Sequence, residues 1–128
     1  MAGDLETRYR GYIDCLNRQD WAVLGDFVAP DARHNGNELG LSGYRAMLER
    51  DHREIPDLRF TIDLLVADST HVASRLLFDC SPRGQFFDLP INGRRVQFAE
   101  NVFYRFENGL IREVWSVIDK SAIAAQLR

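Results

Sequence analysis

The stretch Arg94–Asp119, RRVQFAENVFYRFENGLIREVWSVID, constrains this chain more than any other. Its residues alternate apolar and polar, the period of a half-buried strand, and Glu107-Asn108-Gly109 interrupts the pattern with a turn signature. Val96, Phe98, Glu100, Val102, Tyr104 and Phe106 share one face of the first strand. After the turn, Arg112, Val114, Ser116 and Ile118 share one face, and Ile111, Glu113, Trp115, Val117 and Asp119 the other. A hairpin this long is not stable alone in water. It demands further strands beside it and an apolar cover over one face.

The remaining chain supplies both. Residues 4–18 carry Leu5, Tyr9, Tyr12, Ile13 and Leu16 at helical spacing. Asp20 is placed to cap a second helix, WAVLGDFVA, ended by Pro30-Asp31. A polar stretch with a short strand near His34 follows. A third helix, opened by Ser42 and running from about Gly43 to Glu54, presents Tyr44, Met47 and Leu48 and stops at Ile55-Pro56. From Leu58 the period changes to two: Leu58, Phe60, Ile62, Leu64 and Val66 alternate with polar or smaller residues, and Asp68-Ser69-Thr70 turns into a strand from His71 to Cys80. The loop at 81–94 is too apolar at Phe86, Phe87 and Leu89 to hang free, so it covers the domain's own mouth or a partner chain. A short helix at 120–127 ends the chain.

Helices followed by consecutive hairpin strands predict a single α+β domain over residues 1–128: a strongly curved, mostly antiparallel sheet wrapped around three N-terminal helices, as a cone with an apolar pocket. The net charge of −3 and the lack of a basic block exclude charge-driven nucleic-acid binding. No apolar run reaches the length of a membrane span, and the N-terminus lacks the apolar core of a secretory signal, so a cytoplasmic location is expected. Cys15 and Cys80 stand alone and read as buried thiols, with a catalytic cysteine as the alternative and no base paired to either by sequence. No metal-ligand spacing and no glycine-rich phosphate loop occur, so neither metal nor nucleotide cofactor is expected.

The runs PDARHNGNELGLSGYRAML and IPDLRF, with the block NGRRVQFAENVFYRFENGLIREVWSVIDKSAIAAQL, resemble the SnoaL-like polyketide cyclase (ester cyclase) family of the nuclear-transport-factor-2-like superfamily. The resemblance implies the cone fold and a ring-closing aldol reaction without metal or organic cofactor. It also implies a pocket aspartate on the last strand, a histidine on the strand before it, and an asparagine on the short first strand. Those positions match Ser116, Val102 and His34 here. The scaffold is therefore expected without the family's acid/base pair.

Glu100 and His34 are the candidate catalytic groups. A carboxyl among Phe98, Val102 and other apolar neighbours would have a raised pKa suited to acid/base work; the alternative is an ion pair with Arg75 or Arg112. An imidazole at the pocket mouth could exchange protons near neutrality, or could be a plain surface histidine. Asn35, Tyr44, Met47, Val102, Tyr104 and Ser116 are the candidate substrate-binding residues. Trp115 and Asp119 join them only if the strand register slips by one; otherwise Trp115 fills an interface and Asp119 caps the last helix. His52 reads as part of a solvated helix end, with its neighbours Arg50, Asp51 and Arg53. Two functions remain open: an enzyme for cyclisation, isomerisation or dehydration of an apolar oxygenated small molecule, and a non-catalytic ligand-binding or dimerisation module. Both are expected to form a homodimer through the exposed sheet face.

Overall fold

The structure, a computed structural model, describes residues 2–128, with side chains from Asp4 onward. Helix α1 spans Ala2–Arg18 and is followed by a 3-10 helix, Trp21–Asp26. Strand β1 is Val28–His34, β2 is Asn37–Glu38, and α2 is Gly40–Glu54. The sheet continues with β3 (Thr61–Ala67) and β4 (His71–Cys80), then a small separate hairpin of β5 (Gln85–Phe86) and β6 (Leu89–Pro90). β7 (Val96–Glu107), β8 (Leu110–Ile118) and α3 (Lys120–Gln126) complete the chain. The main sheet runs β2-β1-β8-β7-β4-β3, antiparallel except where β1 lies parallel to β8. This is the expected α+β architecture, with the curved sheet around the helices.

The inner face of β7 carries the predicted alternation. Val96, Phe98, Val102, Tyr104 and Phe106 are buried, and Glu100 is partly buried among them. These residues meet Tyr9, Tyr12 and Leu16 of α1 and Tyr44 and Leu48 of α2, all buried. Arg8 fastens α1 to the β7–β8 turn: its Nε donates to the Gly109 carbonyl at 2.6 Å and its Nη2 to the Asp26 carbonyl. Asn17 fastens the other end, exchanging two hydrogen bonds with the backbone of Phe60 at 2.7 and 2.9 Å.

Several local expectations are corrected. The second helix is one 3-10 segment ending at Asp26, and Val28 and Ala29 already belong to β1. Asp20 sits at the N-terminus of that segment without capping it; its carboxylate takes Arg18 at 3.1 Å instead. Pro30 lies inside β1, where the pairing with β8 shifts register between Val28 and Arg33, so its missing N–H removes no ladder bond. Helix α2 opens at Gly40, not Ser42. Gly40 takes φ +65°, and a Cβ there would stand 3.1 Å from the Pro30 carbonyl oxygen, so glycine alone fits that entry.

Two register shifts change the faces. Between Ile62 and Leu64 the β3–β4 pairing slips, which turns Leu64 and Val66 outward and Leu65 and Ala67 inward. Between Arg105 and Phe106 the β7–β8 pairing slips as well. Ile111 therefore points into the core with Val114, fully buried, rather than outward as strict alternation implies. His52 is no solvated residue: it packs edge-on against Trp21, with ring centroids 5.5 Å apart, and tilts against Phe60. Asp119 caps α3, accepting from the Ala122 amide at 3.1 Å. Cys15 and Cys80 are buried free thiols. No described helix is long and apolar enough to cross a membrane.

Candidate active site

A cavity of about 420 Å³ opens between α1, α2 and the concave sheet. Its helical wall has Tyr12 and Leu16 of α1 and Tyr44, Met47, Leu48, Arg50 and Asp51 of α2, with Ile55 just past the end of α2; Tyr44, Leu48, Asp51 and Ile55 recur at helical spacing. Its sheet wall has Glu100, Val102 and Tyr104 of β7 with Val114, Ser116 and Ile118 of β8. Strand alternation puts these on one face, and the pairings Val102↔Ser116 and Tyr104↔Val114 set them side by side. Phe86 and Phe87 of the small hairpin roof the mouth, so that loop covers the domain's own opening. Lys120 stands there too, its ammonium 4.8 Å from the Phe87 ring centroid.

Glu100 is the carboxyl of the sheet wall. Burial raises its pKa, and the Ser116 hydroxyl, which donates to Oε2, partly offsets the rise by favouring the charged form. The arginine pairing does not form. Arg75 engages Asp63 at 3.2 Å, and Arg112 engages Asp31 at 2.8 Å and Glu107 at 3.0 Å. Ser116 lies where the resemblance places the cyclase aspartate, and Glu100 extends its carboxyl to that hydroxyl from the next strand.

His34 lines the cavity, half-buried, with its ring edge-on to Tyr44 at 6.4 Å. Burial lowers its pKa, which keeps the imidazole neutral at neutral pH. Two tyrosine pairs back this region. Tyr12 and Tyr44 share a hydrogen bond of 2.6 Å, and the Tyr9 hydroxyl donates to that of Tyr104 at 3.3 Å. Desolvation pushes Tyr9 up to about 12 and raises Tyr12, Tyr44 and Tyr104 as well, so all remain protonated donors.

Asn35 borders the cavity, but its amide is committed elsewhere. Oδ1 accepts from the Ser116 N–H at 2.8 Å, and Nδ2 donates to the Ser116 carbonyl at 3.2 Å. The side chain thus continues the β1–β8 pairing, which makes it a brace for Ser116 rather than a free substrate contact. Trp115 and Asp119 are not brought to the cavity. Trp115 pairs with Phe103 on the outer sheet face, and Asp119 borders a shallow outer groove with Arg59 and Arg75. Arg50, Asp51 and Lys120 join the cavity without having been singled out as site residues. Asp51 was legible in principle: it sits one turn beyond Met47 on the stripe Tyr44–Leu48–Ile55. Among the described residues no group of three or more His, Cys, Asp or Glu side chains is arranged to hold a metal ion.

Comparison with known proteins agrees with this fold. A solved SnoaL-like polyketide cyclase from Agrobacterium tumefaciens str. C58 is 56% identical, with a TM-score of 0.96 over 97% of this chain and 98% of that one. TsrD from Streptomyces laurentii shares the fold at 24% identity, with a TM-score of 0.84 over 98% and 95% of the two chains. IdmH from Streptomyces antibioticus shares it at 22% identity, with a TM-score of 0.82 over 96% and 97%. No curated protein matches the chain. The family model for SnoaL-like polyketide cyclase matches residues 6–127, so this chain is a member of the SnoaL-like polyketide cyclase family.

Proposed function

We propose that the cavity is the active site of an enzyme that cyclises, isomerises or dehydrates an apolar, oxygenated, polyketide-like small molecule, using the protein's own side chains as acid and base. One observation carries this reading. Glu100 places a carboxyl in a sheet wall whose other residues carry no charge, held by Ser116 and paired with no cation among the described residues. Such a group costs folding free energy and has no structural return. A partly desolvated carboxylate is a competent base toward a carbon acid, and the volume suits a ligand of two or three fused rings. His34, neutral and at the mouth, serves as a second proton carrier or hydrogen-bond partner. Tyr44 and Tyr104 contribute hydroxyls, while Met47 and Val102 contribute apolar contact.

The test needs no natural substrate. 2-Tetralone, an apolar bicyclic ketone, is incubated in heavy water and deuterium entry beside its carbonyl is followed by NMR. Glu100→Gln is expected to fold normally and to lose about 100-fold or more of the exchange rate. An unchanged rate refutes the role of Glu100.

The second reading, a non-catalytic binding module, draws on Ser116 and Val102 standing where the resemblance places an aspartate and a histidine. The two readings share an expected homodimer. Leu64, Val66, Phe103, Trp115 and Val117 all lie exposed on the outer sheet face, with Phe103 at 58% and Val117 at 70%. A second copy would cover that face. A cytoplasmic setting belongs to the same proposal, and two buried thiols without a disulfide are in keeping with it.

A further inference from the structure

Asp51 is the one other carboxyl that lines the cavity, and it comes from the opposite wall. It occupies an apolar helix stripe between Leu48 and Ile55, at a position where a hydrophobic side chain would pack. It also lies in the last turn of α2, where the helix dipole disfavours a negative charge. Its side chain makes no hydrogen bond and no ion pair among the described residues; its backbone carbonyl accepts from the Ile55 N–H at 2.9 Å. Three costs fall on one side chain, and none is offset by a structural contact.

We propose that Asp51 is a second catalytic residue of this site, acting as the general acid across the cavity from Glu100 as the base. This rests on Glu100 being the base, as argued above. In the step, the Glu100 carboxylate takes a proton from the carbon beside a substrate carbonyl. The C–H electron pair becomes the enol double bond, and the carbonyl π pair takes the proton of the Asp51 carboxyl. In the reverse sense the enol proton returns to Asp51, and Glu100 delivers its proton to the same carbon or to another in conjugation. No oxidant or external proton is consumed. The substrate class narrows accordingly to ketones with an acidic neighbouring C–H and a carbonyl directed at α2.

The surroundings of the two carboxyls differ. Burial raises Glu100, and the Ser116 hydroxyl partly offsets the rise by favouring the charged form. Burial raises Asp51 to about 6; Arg50 opposes the rise, and the charges of Glu100 and Glu54 add to it. The other ionisable groups on the cavity wall are Arg50 of α2, His34 of β1, Lys120 of α3 and the hydroxyls of Tyr12, Tyr44 and Tyr104. Both carboxyls are raised, but Asp51 also feels the charge of Glu100, and unlike environments for two carboxyls are the usual basis for an acid and a base in one site.

Two probe reactions separate the roles. Deuterium exchange into 2-tetralone needs a base at carbon and gains from an acid at oxygen. Kemp elimination of 5-nitrobenzisoxazole needs only a base: the ring C–H proton is removed, the N–O bond breaks, and a stabilised phenolate leaves unprotonated. Asp51→Asn is expected to lower exchange about 100-fold and elimination far less, while Asp51→Glu restores part of the exchange. Glu100→Gln is expected to abolish both. Equal losses in both reactions for Asp51→Asn, or no loss in exchange, overturn the role of Asp51 and leave Glu100 as the base. Retention of both reactions by Glu100→Gln overturns the underlying reading, and with it this proposal.

Discussion

Replacing Asp51 by Asn should make the protein more stable, and only at neutral and alkaline pH. The Asp51 carboxyl rises from 3.8 to about 6 in the folded protein, chiefly through burial. A carboxyl with a raised folded pKa adds nothing below its unfolded value, where both states are protonated. The folded state loses stability as pH climbs from about 4 to about 6, because unfolding then releases a proton that the native site holds. Above that the penalty is constant. A shift of this size corresponds to about 3 kcal/mol at most. Asn also buries an amide without a partner, at about 1 to 2 kcal/mol, but that cost does not vary with pH. The pH-dependent part is therefore the observable. Between pH 4 and pH 8 the variant should gain about 2 to 3 kcal/mol on the native protein, or of order 10 °C in Tm for a domain of this size. Urea melts of both proteins at five pH values would measure it. Parallel stability curves, or a gap that widens toward acid pH, would refute the assignment of Asp51 as a desolvated carboxyl.

Ser116→Ala removes the hydroxyl that favours the charged form of Glu100, so the acid limb of the exchange rate with 2-tetralone should move to higher pH; a limb that stays in place contradicts the coupling. Asp119→Ala removes the cap of α3 and should cost about 1 kcal/mol in a urea melt, with the exchange rate nearly unchanged because the residue lies outside the cavity. Val117→Lys places a charge on the outer sheet face. It should convert the expected dimer to a monomer in light scattering while the circular dichroism spectrum stays native, and a native protein that is already monomeric counts against the dimer.

The long hairpin and the stripe of α1 were readable because period and burial agree there. At β7 every inward residue from Val96 to Phe106 falls on the predicted face, and Glu100 with it. Legibility failed where spacing does not carry the information. The register shifts at Ile62/Leu64 and Arg105/Phe106 each insert one residue, and nothing local in TIDLL or IREV announces it. The extent of β1 was hidden by Pro30 and by the polar run after it, since its partner β8 lies some eighty residues away in the chain. Asp51 was hidden for another reason. It stands in the charged run Glu49–Glu54, and reading that run as a solvated face overlooked that one position in it continues the stripe of Tyr44 and Leu48. His52 was obscured by the same run.

The parallel seam between β1 and β8 also bears on how the molecule is made. Val28 pairs with Ile111 and His34 with Val114, so the first strand has no neighbour on that side until some eighty further residues exist. On a ribosome, α1, β1 and α2 emerge long before the strand that holds them, and contacts of such wide sequence separation close late. The Asn35 clasp on Ser116 and the placing of His34 opposite β8 belong to the same closing step. The hairpin pairs of β3–β4 and β7–β8 can zip earlier, from local contacts. The cavity thus closes only when β8 docks between β1 and β7, and a chain stalled before residue 110 lacks the part of the wall that Val114, Ser116 and Ile118 supply.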